Sequence, residues 1–178
     1  MDQLIINFKL RKNVNNYDGL IMIICGHGND ENTFVTSEGK TVSIDKLRMA
    51  FNCHEMESFK DFPKIFIVDA CRGQNIPKAH EIVLGRNPNK NMPIYGHNDD
   101  GFLTVWSTTK GFQVGDLSLL SKSMKDIIIS KYKLGYPFKQ MLQDVRNDIR
   151  KNKSGEWYCV ESQDTTDYEI IFTSRKTL

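Results

Sequence analysis

At 178 residues the chain is one domain's worth of protein, long enough to bury a core without disulfide or metal staples. Hydrophobic residues are 39%, and Lys+Arg 24 against Asp+Glu 22 leaves +2, which excludes disordered, collagen-like and disulfide-rich classes and shows no nucleic-acid or membrane signature. The longest apolar run is too short to span a bilayer, the N-terminus lacks a signal-peptide layout, and Cys25, Cys53, Cys71 and Cys159 form no CxxC pair, so a cytoplasmic protein with free thiols is expected.

Taken in chain order, Leu4–Leu10 is ambiguous between strand and helix. Leu20–Cys25 is a continuous apolar run bounded by Gly19 and Gly26, the pattern of a strand buried on both faces. Ser43 is placed to cap a helix with Ile44, Leu47, Ala50 and Phe51 on one face. Lys64–Asp69, started by Pro63, reads as a second strand. Gln74–Asp100, rich in Asn, Pro, Gly, Lys and His, has no clear periodicity and is the one candidate linker, either functional or disordered. Phe102–Ser107 is a third strand, and Leu120, Met124, Ile127 and Ile128 mark a helix. Pro137 opens another helix, with Phe138, Met141, Leu142, Val145 and Ile149 at helical spacing, and Tyr168–Phe172 reads as a fourth strand. Strands alternating with helices argue for an α/β fold with a mostly parallel sheet.

In such sheets functional groups gather beyond the carboxyl ends of the strands. The first strand runs into Cys25-Gly26-His27-Gly28 and the second into Asp69-Ala70-Cys71-Arg72-Gly73. If these strands are neighbours in register, His27 and Cys71 face one crevice, where an imidazole serves a thiol nucleophile as general base and acid. The glycines beside His27 allow close backbone approach, and an N–H there together with that of Cys71 would form an oxyanion hole. Taken alone, a strand-end cysteine is more often a small buried hydrophobe. The joint pattern is far more specific.

Cys71 lies 44 positions after His27 and sits in Ala-Cys-Arg-Gly. The caspase signature is Gln-Ala-Cys-[Arg/Gln/Gly]-Gly with a histidine about 50 residues upstream, so the sequence resembles the caspase superfamily of caspases, metacaspases and paracaspases. Thr33–Lys40 resembles the short hairpin after that family's histidine, and Phe102–Phe112 resembles the start of its small subunit. The resemblance covers residues 18 to 173. It implies a three-layer α/β sandwich, a mostly parallel sheet with helices on both faces. By the same resemblance 1–178 is a single catalytic domain, with 1–73 large-subunit-like, 74–100 a linker and 101–178 small-subunit-like. His27 and Cys71 carry over as the catalytic dyad, and the Gly28 and Cys71 N–H groups as the oxyanion hole.

Two departures shape the expectation. Position 69 is Asp where caspases have Gln, as in metacaspases and paracaspases, whose acidic pockets accept Arg or Lys at P1. No arginine follows Gly111-Phe112, where Gln113-Val114-Gly115-Asp116 stands. Asp69 is therefore expected in the P1 pocket with Arg/Lys preferred over Asp, the alternative being a strand-end carboxylate bonded to nearby backbone. Secondly, family domains begin with a strand, a helix and another strand ahead of the histidine strand, whereas 17 residues precede Asp18. The fold is expected to lack those first strands, leaving an apolar edge suited to pairing with another chain.

The leading expectation is a cysteine endopeptidase working through an acyl-enzyme on protein or peptide substrates. The alternative is a catalytically silent caspase-like module that binds and regulates a relative. A thiol-redox protein would want a resolving cysteine near Cys71, and none lies within 17 residues. Family domains often pair through a small-subunit edge strand, so the resemblance extends to a homodimer or a pairing with a related caspase-like chain. No metal or other cofactor, nucleic acid or membrane is expected. Some metacaspases need calcium, and Asn98-Asp99-Asp100 is the cluster that would bind it weakly. Family precedent also suggests linker cleavage, at Arg86 or Lys90 for a basic-specific pocket and at Asp99 or Asp100 for an aspartate-specific one. Arg72 is left between substrate carboxylate and structural ion pair, and the cluster Arg146, Arg150, Lys151 and Lys153 is read as a solvated helix end.

Overall fold

The ambiguous N-terminal segment is a helix, α1 (Asp2–Lys9), in a computed structural model that describes residues 2–10, 16–30, 32–76, 99–115 and 118–174. It is followed by β1 (Leu20–Cys25), a small antiparallel unit of β2 (Gly28–Asn29), β3 (Thr33–Val35) and β4 (Thr41–Ser43), and α2 (Ile44–Met49). The Ser43 hydroxyl accepts the Lys46 N–H at 3.3 Å and so starts α2 as its sequence suggests. Next come β5 (Lys64–Asp69), β6 (Phe102–Trp106), α3 (Leu119–Lys131), α4 (Phe138–Arg150) and β7 (Glu161–Asp164).

The main sheet has the order β1-β5-β6-β7, with β1, β5 and β6 parallel and β7 antiparallel to β6. One face carries Ile65, Leu103 and Val105 under α3 and α4, which contribute Leu120, Met124, Phe138, Met141, Leu142, Val145 and Ile149. The other carries Leu20, Phe66 and Phe102 against Leu47 and Phe51 of the α2 region and Ile5 and Phe8 of α1. The result is the expected three-layer α/β sandwich. At the base of β5, opposite its functional end, the Lys64 ammonium is fully buried and donates to the carbonyls of Phe59 and Phe62 at 2.9 and 3.0 Å. Burial depresses its pKa, against the attraction of Asp61 and Asp100.

Three expectations change. β1 is not buried on both faces. No described strand pairs with its outer edge, and Ile21 and Ile23 are 53% and 66% exposed on the side of α3. The fourth strand is Glu161–Asp164 rather than Tyr168–Phe172. Glu-Ser-Gln-Asp has no apolar residue to announce a strand, yet its backbone pairs with β6. The later segment alternates like a strand but instead closes the start of α4: the Ile170 carbonyl accepts the Phe138 N–H at 2.7 Å and Ile171 bridges to Pro137. Finally, Arg146 is no solvated cation. It donates to Val160 O at 2.9 Å and Ser162 Oγ at 2.6 Å, fastening α4 to the start of β7, and burial lowers its pKa.

The linker lies mostly outside the described residues, and with it Arg86, Lys90 and Asn98. Its described end is anchored: Asp99 pairs with Arg48 at 2.8 Å and its carbonyl accepts the Thr165 hydroxyl. Among the described residues no helix is long and apolar enough to cross a membrane, and no group of three His, Cys, Asp or Glu residues is placed to hold a metal ion.

Candidate active site

Parallel register decides where the reactive residues meet. Cys25 at the end of β1 faces Asp69 at the end of β5, and the chain leaves both strands at the same level. Two residues further along each path stand His27 and Cys71. Gly26 makes the turn at φ 152, a conformation open mainly to glycine, and donates its N–H to Asp69 O at 3.2 Å. His27 is then tied down by its own carbonyl, which accepts the Val35 N–H at 2.8 Å. Gly28 lies so close to the nucleophile segment that a Cβ there would stand 1.8 Å from the Cys71 carbonyl oxygen.

The segment after β5 is laced to the one after β6. Arg72 N–H donates to Phe112 O at 2.9 Å, Gly111 N–H to Arg72 O at 2.8 Å, Asn75 N–H to Gly111 O at 3.0 Å and Gln113 N–H to Asn75 O at 2.9 Å. Arg72 settles as a structural cation. Its buried guanidinium donates to Asn32 Oδ1 at 3.0 Å, Thr108 O at 3.1 Å and Glu161 Oε2 at 2.8 Å, and lies 4.1 Å above the Trp106 ring. With these bonds made, it is not turned to a substrate carboxylate.

His27, Cys71 and Asp69 line one cavity of about 250 Å³, with Cys25, Gly26, Val114, Gly115, Ser118, Ser121 and Tyr158. Among the described residues of this lining Asp69 is the one acidic group, and none is Arg or Lys. The Cys71 N–H has no acceptor among the described residues. The sulfur accepts the Val114 N–H at 3.4 Å and lies 3.7 Å from Val114 O, while the exposed imidazole of His27 makes no hydrogen bond to a described residue. Burial and then the Asp69 charge push the Cys25 thiol up, which keeps it protonated at neutral pH. A second groove runs on from the cavity between β1 and α3, lined by Ile23, Ile67, Leu120, Met124 and Ile128, with Cys25, Asp69, Ser121 and Lys125 also in its wall.

The structure thus brings together all four residues singled out from the sequence: His27, Cys71 and Asp69 in one lining, with Gly28 packed behind Cys71. Cys25, Val114 and Tyr158 were missed. Cys25 was recoverable, since strand alternation and the Cys25–Asp69 register place it on the face of Asp69. Val114 and Tyr158 come from irregular segments with no periodic signal.

The caspase domain family matches residues 1–169. The chain belongs to that family. A viral relative, the executioner caspase of Spodoptera frugiperda ascovirus 1a, is 28% identical over 71 residues, which is 40% of this chain but 23% of the relative's length. The crystal structure of caspase-1 from Spodoptera frugiperda superposes with a TM-score of 0.75 over 99% of this chain and 71% of that one, at 14% identity. The fold is therefore that of a caspase, and the chain falls in a cysteine peptidase superfamily.

Proposed function

We propose that this caspase-family chain is a cysteine endopeptidase that cleaves protein or peptide substrates after Arg or Lys. The observation that carries the reading is the shared lining of His27, Cys71 and Asp69, a cavity with no Arg or Lys among its described lining residues. A P1 guanidinium or ammonium meets the Asp69 carboxylate, which repels a P1 aspartate. His27 takes the thiol proton, Cys71 Sγ attacks the scissile carbonyl, and the N–H groups of Cys71 and Gly28 hold the oxyanion. His27 then gives its proton to the leaving amine. Water, deprotonated by His27, attacks the thioester and releases the acid.

In this reading residues 1–73 and 101–178 are the large- and small-subunit-like parts of one catalytic domain, 74–100 is the linker, and the enzyme works in the cytoplasm. No cofactor takes part, and activity persists in a calcium chelator. The chain acts alone or paired with a second copy or a related caspase-like chain.

The second reading, a silent regulatory module, is favoured by one observation: the sulfur is hydrogen-bonded to Val114 rather than to the imidazole. One assay separates them. The purified chain is given two peptide pools, P1 Arg/Lys and P1 Asp, with and without calcium, with Cys71→Ala as blank. Turnover of the basic pool that vanishes in a folded Cys71→Ala is expected. Turnover of the aspartate pool alone overturns the pocket assignment. Silence in both pools overturns the enzyme and leaves the regulatory module.

A further inference from the structure

We propose that Tyr158 is a positioning residue of this site: its hydroxyl fixes the segment 113–115 so that the Val114 N–H stays on the Cys71 sulfur and Gly115 keeps its place in the pocket wall. The proposal rests on the peptidase reading for its kinetic consequence, but its structural part stands on the geometry of the thiol.

The ring of Tyr158 is 6% exposed and belongs to the apolar cluster under α3 and α4. Its hydroxyl reaches out of that cluster to the cavity, where it donates to Gly115 O at 2.8 Å and accepts the Leu119 N–H at 3.3 Å. Leu119 begins α3, whose first N–H groups need acceptors from outside the helix. Ser118 supplies none from its side chain, and it is itself held at φ 49, a conformation costly for a non-glycine residue. One phenol therefore joins the end of segment 113–115 to the start of α3.

Val114 precedes Gly115, so one peptide unit separates the one that Tyr158 holds by the Gly115 carbonyl from the one whose N–H donates to Cys71 Sγ. The Val114 N–H and C=O both lie against the sulfur, at 3.4 and 3.7 Å, so the position of this segment sets where the sulfur stands in the cavity. If the hydroxyl is removed, segment 113–115 loses its described anchor on the α3 side, while the bond from Gln113 N–H to Asn75 O remains on the other. Among the described residues, the titratable groups sharing the cavity with Cys71 are Cys25, His27 and Asp69, besides Tyr158 itself. Substituting Tyr158 by Phe leaves the first three unchanged and preserves the ring packing.

The test is Tyr158→Phe in the full chain, with Tyr132→Phe as a control that makes the same chemical change elsewhere in the same cluster. Alkylation of Cys71 by iodoacetamide is followed against time at a fixed pH by the mass of the Cys71 peptide, and kcat and KM are measured on a P1-Arg peptide. In Tyr158→Phe the alkylation of Cys71 is expected to slow severalfold. KM is expected to rise so that kcat/KM falls about tenfold, with melting displaced by only a few degrees. Tyr132→Phe is expected to follow the wild type. An unmoved alkylation curve in Tyr158→Phe, or an equal slowing in both variants, overturns the proposal. A wild type that cleaves nothing defeats the peptidase reading, while the alkylation curves still decide the role of Tyr158.

Discussion

Gly28 has no room for a methyl group: the nearest obstacle is backbone, the Cys71 carbonyl oxygen, which cannot swing aside as a flexible side chain would. Gly28→Ala must separate the His27 turn from the Cys71 turn. A displacement on the scale of an ångström between reacting groups costs about a hundredfold in rate. The expected outcome is a folded chain with kcat/KM on a P1-Arg peptide down about a hundredfold, checked by steady-state kinetics beside a melting curve. Gly73 is under the same constraint, with a Cβ only 2.2 Å from the Gly111 carbonyl carbon. These contacts explain why Gly28 and Gly73 stand where they do, each with its backbone pressed against the backbone of another segment.

At the scale of elements, α4 shows how local pattern and tertiary contact divide the work. Phe138, Met141, Leu142, Val145 and Ile149 make one buried stripe, legible in the sequence as a helix period. Its fastening to β7 was not legible, because polar partners distant in the chain carry no periodicity. Besides Arg146, Lys139 Nζ pairs with Asp164 Oδ2 at 2.8 Å. Burial pushes the Asp164 carboxyl up, but hydrogen bonds from Lys139 and Thr166 and the Lys139 charge outweigh it, so the pKa stays below the usual carboxylate range. A depressed folded pKa means that the unfolded chain binds the proton first on acidification. The pair's contribution is then whole above the ordinary aspartate value of about 4, and fades as pH falls through the lowered folded value. Lys139→Ala should destabilise the chain at pH 7 and much less at pH 2.5, a difference to be read from urea unfolding midpoints at the two pH values.

For the whole molecule, an apolar six-residue strand can be central or at an edge, and β1 shows that hydrophobicity alone does not decide between them. Leu20–Cys25 reads as a strand with two covered faces, yet Ile21 and Ile23 are exposed and the outer edge has no described strand on it. The strand type was legible because six consecutive apolar residues between glycines leave few alternatives. Its neighbours were not, since pairing is a property of the assembled sheet. The same limit hid β7 and left the cavity's far wall, Val114 to Tyr158, unread. An open apolar edge promotes association. The wild-type chain should show concentration-dependent self-association by sedimentation velocity, and Ile23→Lys should reduce it without changing the melting transition. Equal behaviour of the two would assign any association to another surface.

The interleaving of β5 and β6 has a consequence for how the polypeptide is divided. β5 precedes the 74–100 segment and β6 follows it, yet the two run side by side from Lys64–Phe102 to Val68–Trp106. Arg48 reaches Asp99 across the same gap, and Arg72 reaches Thr108 and Glu161. Phe66 and Phe102 share one core cluster, and Ile65 and Leu103 another. Neither portion carries a complete interior of its own. A break in the chain between them would not be a break in the architecture, and the two pieces made separately are natural candidates for fragment complementation, each supplying the surface on which the other folds.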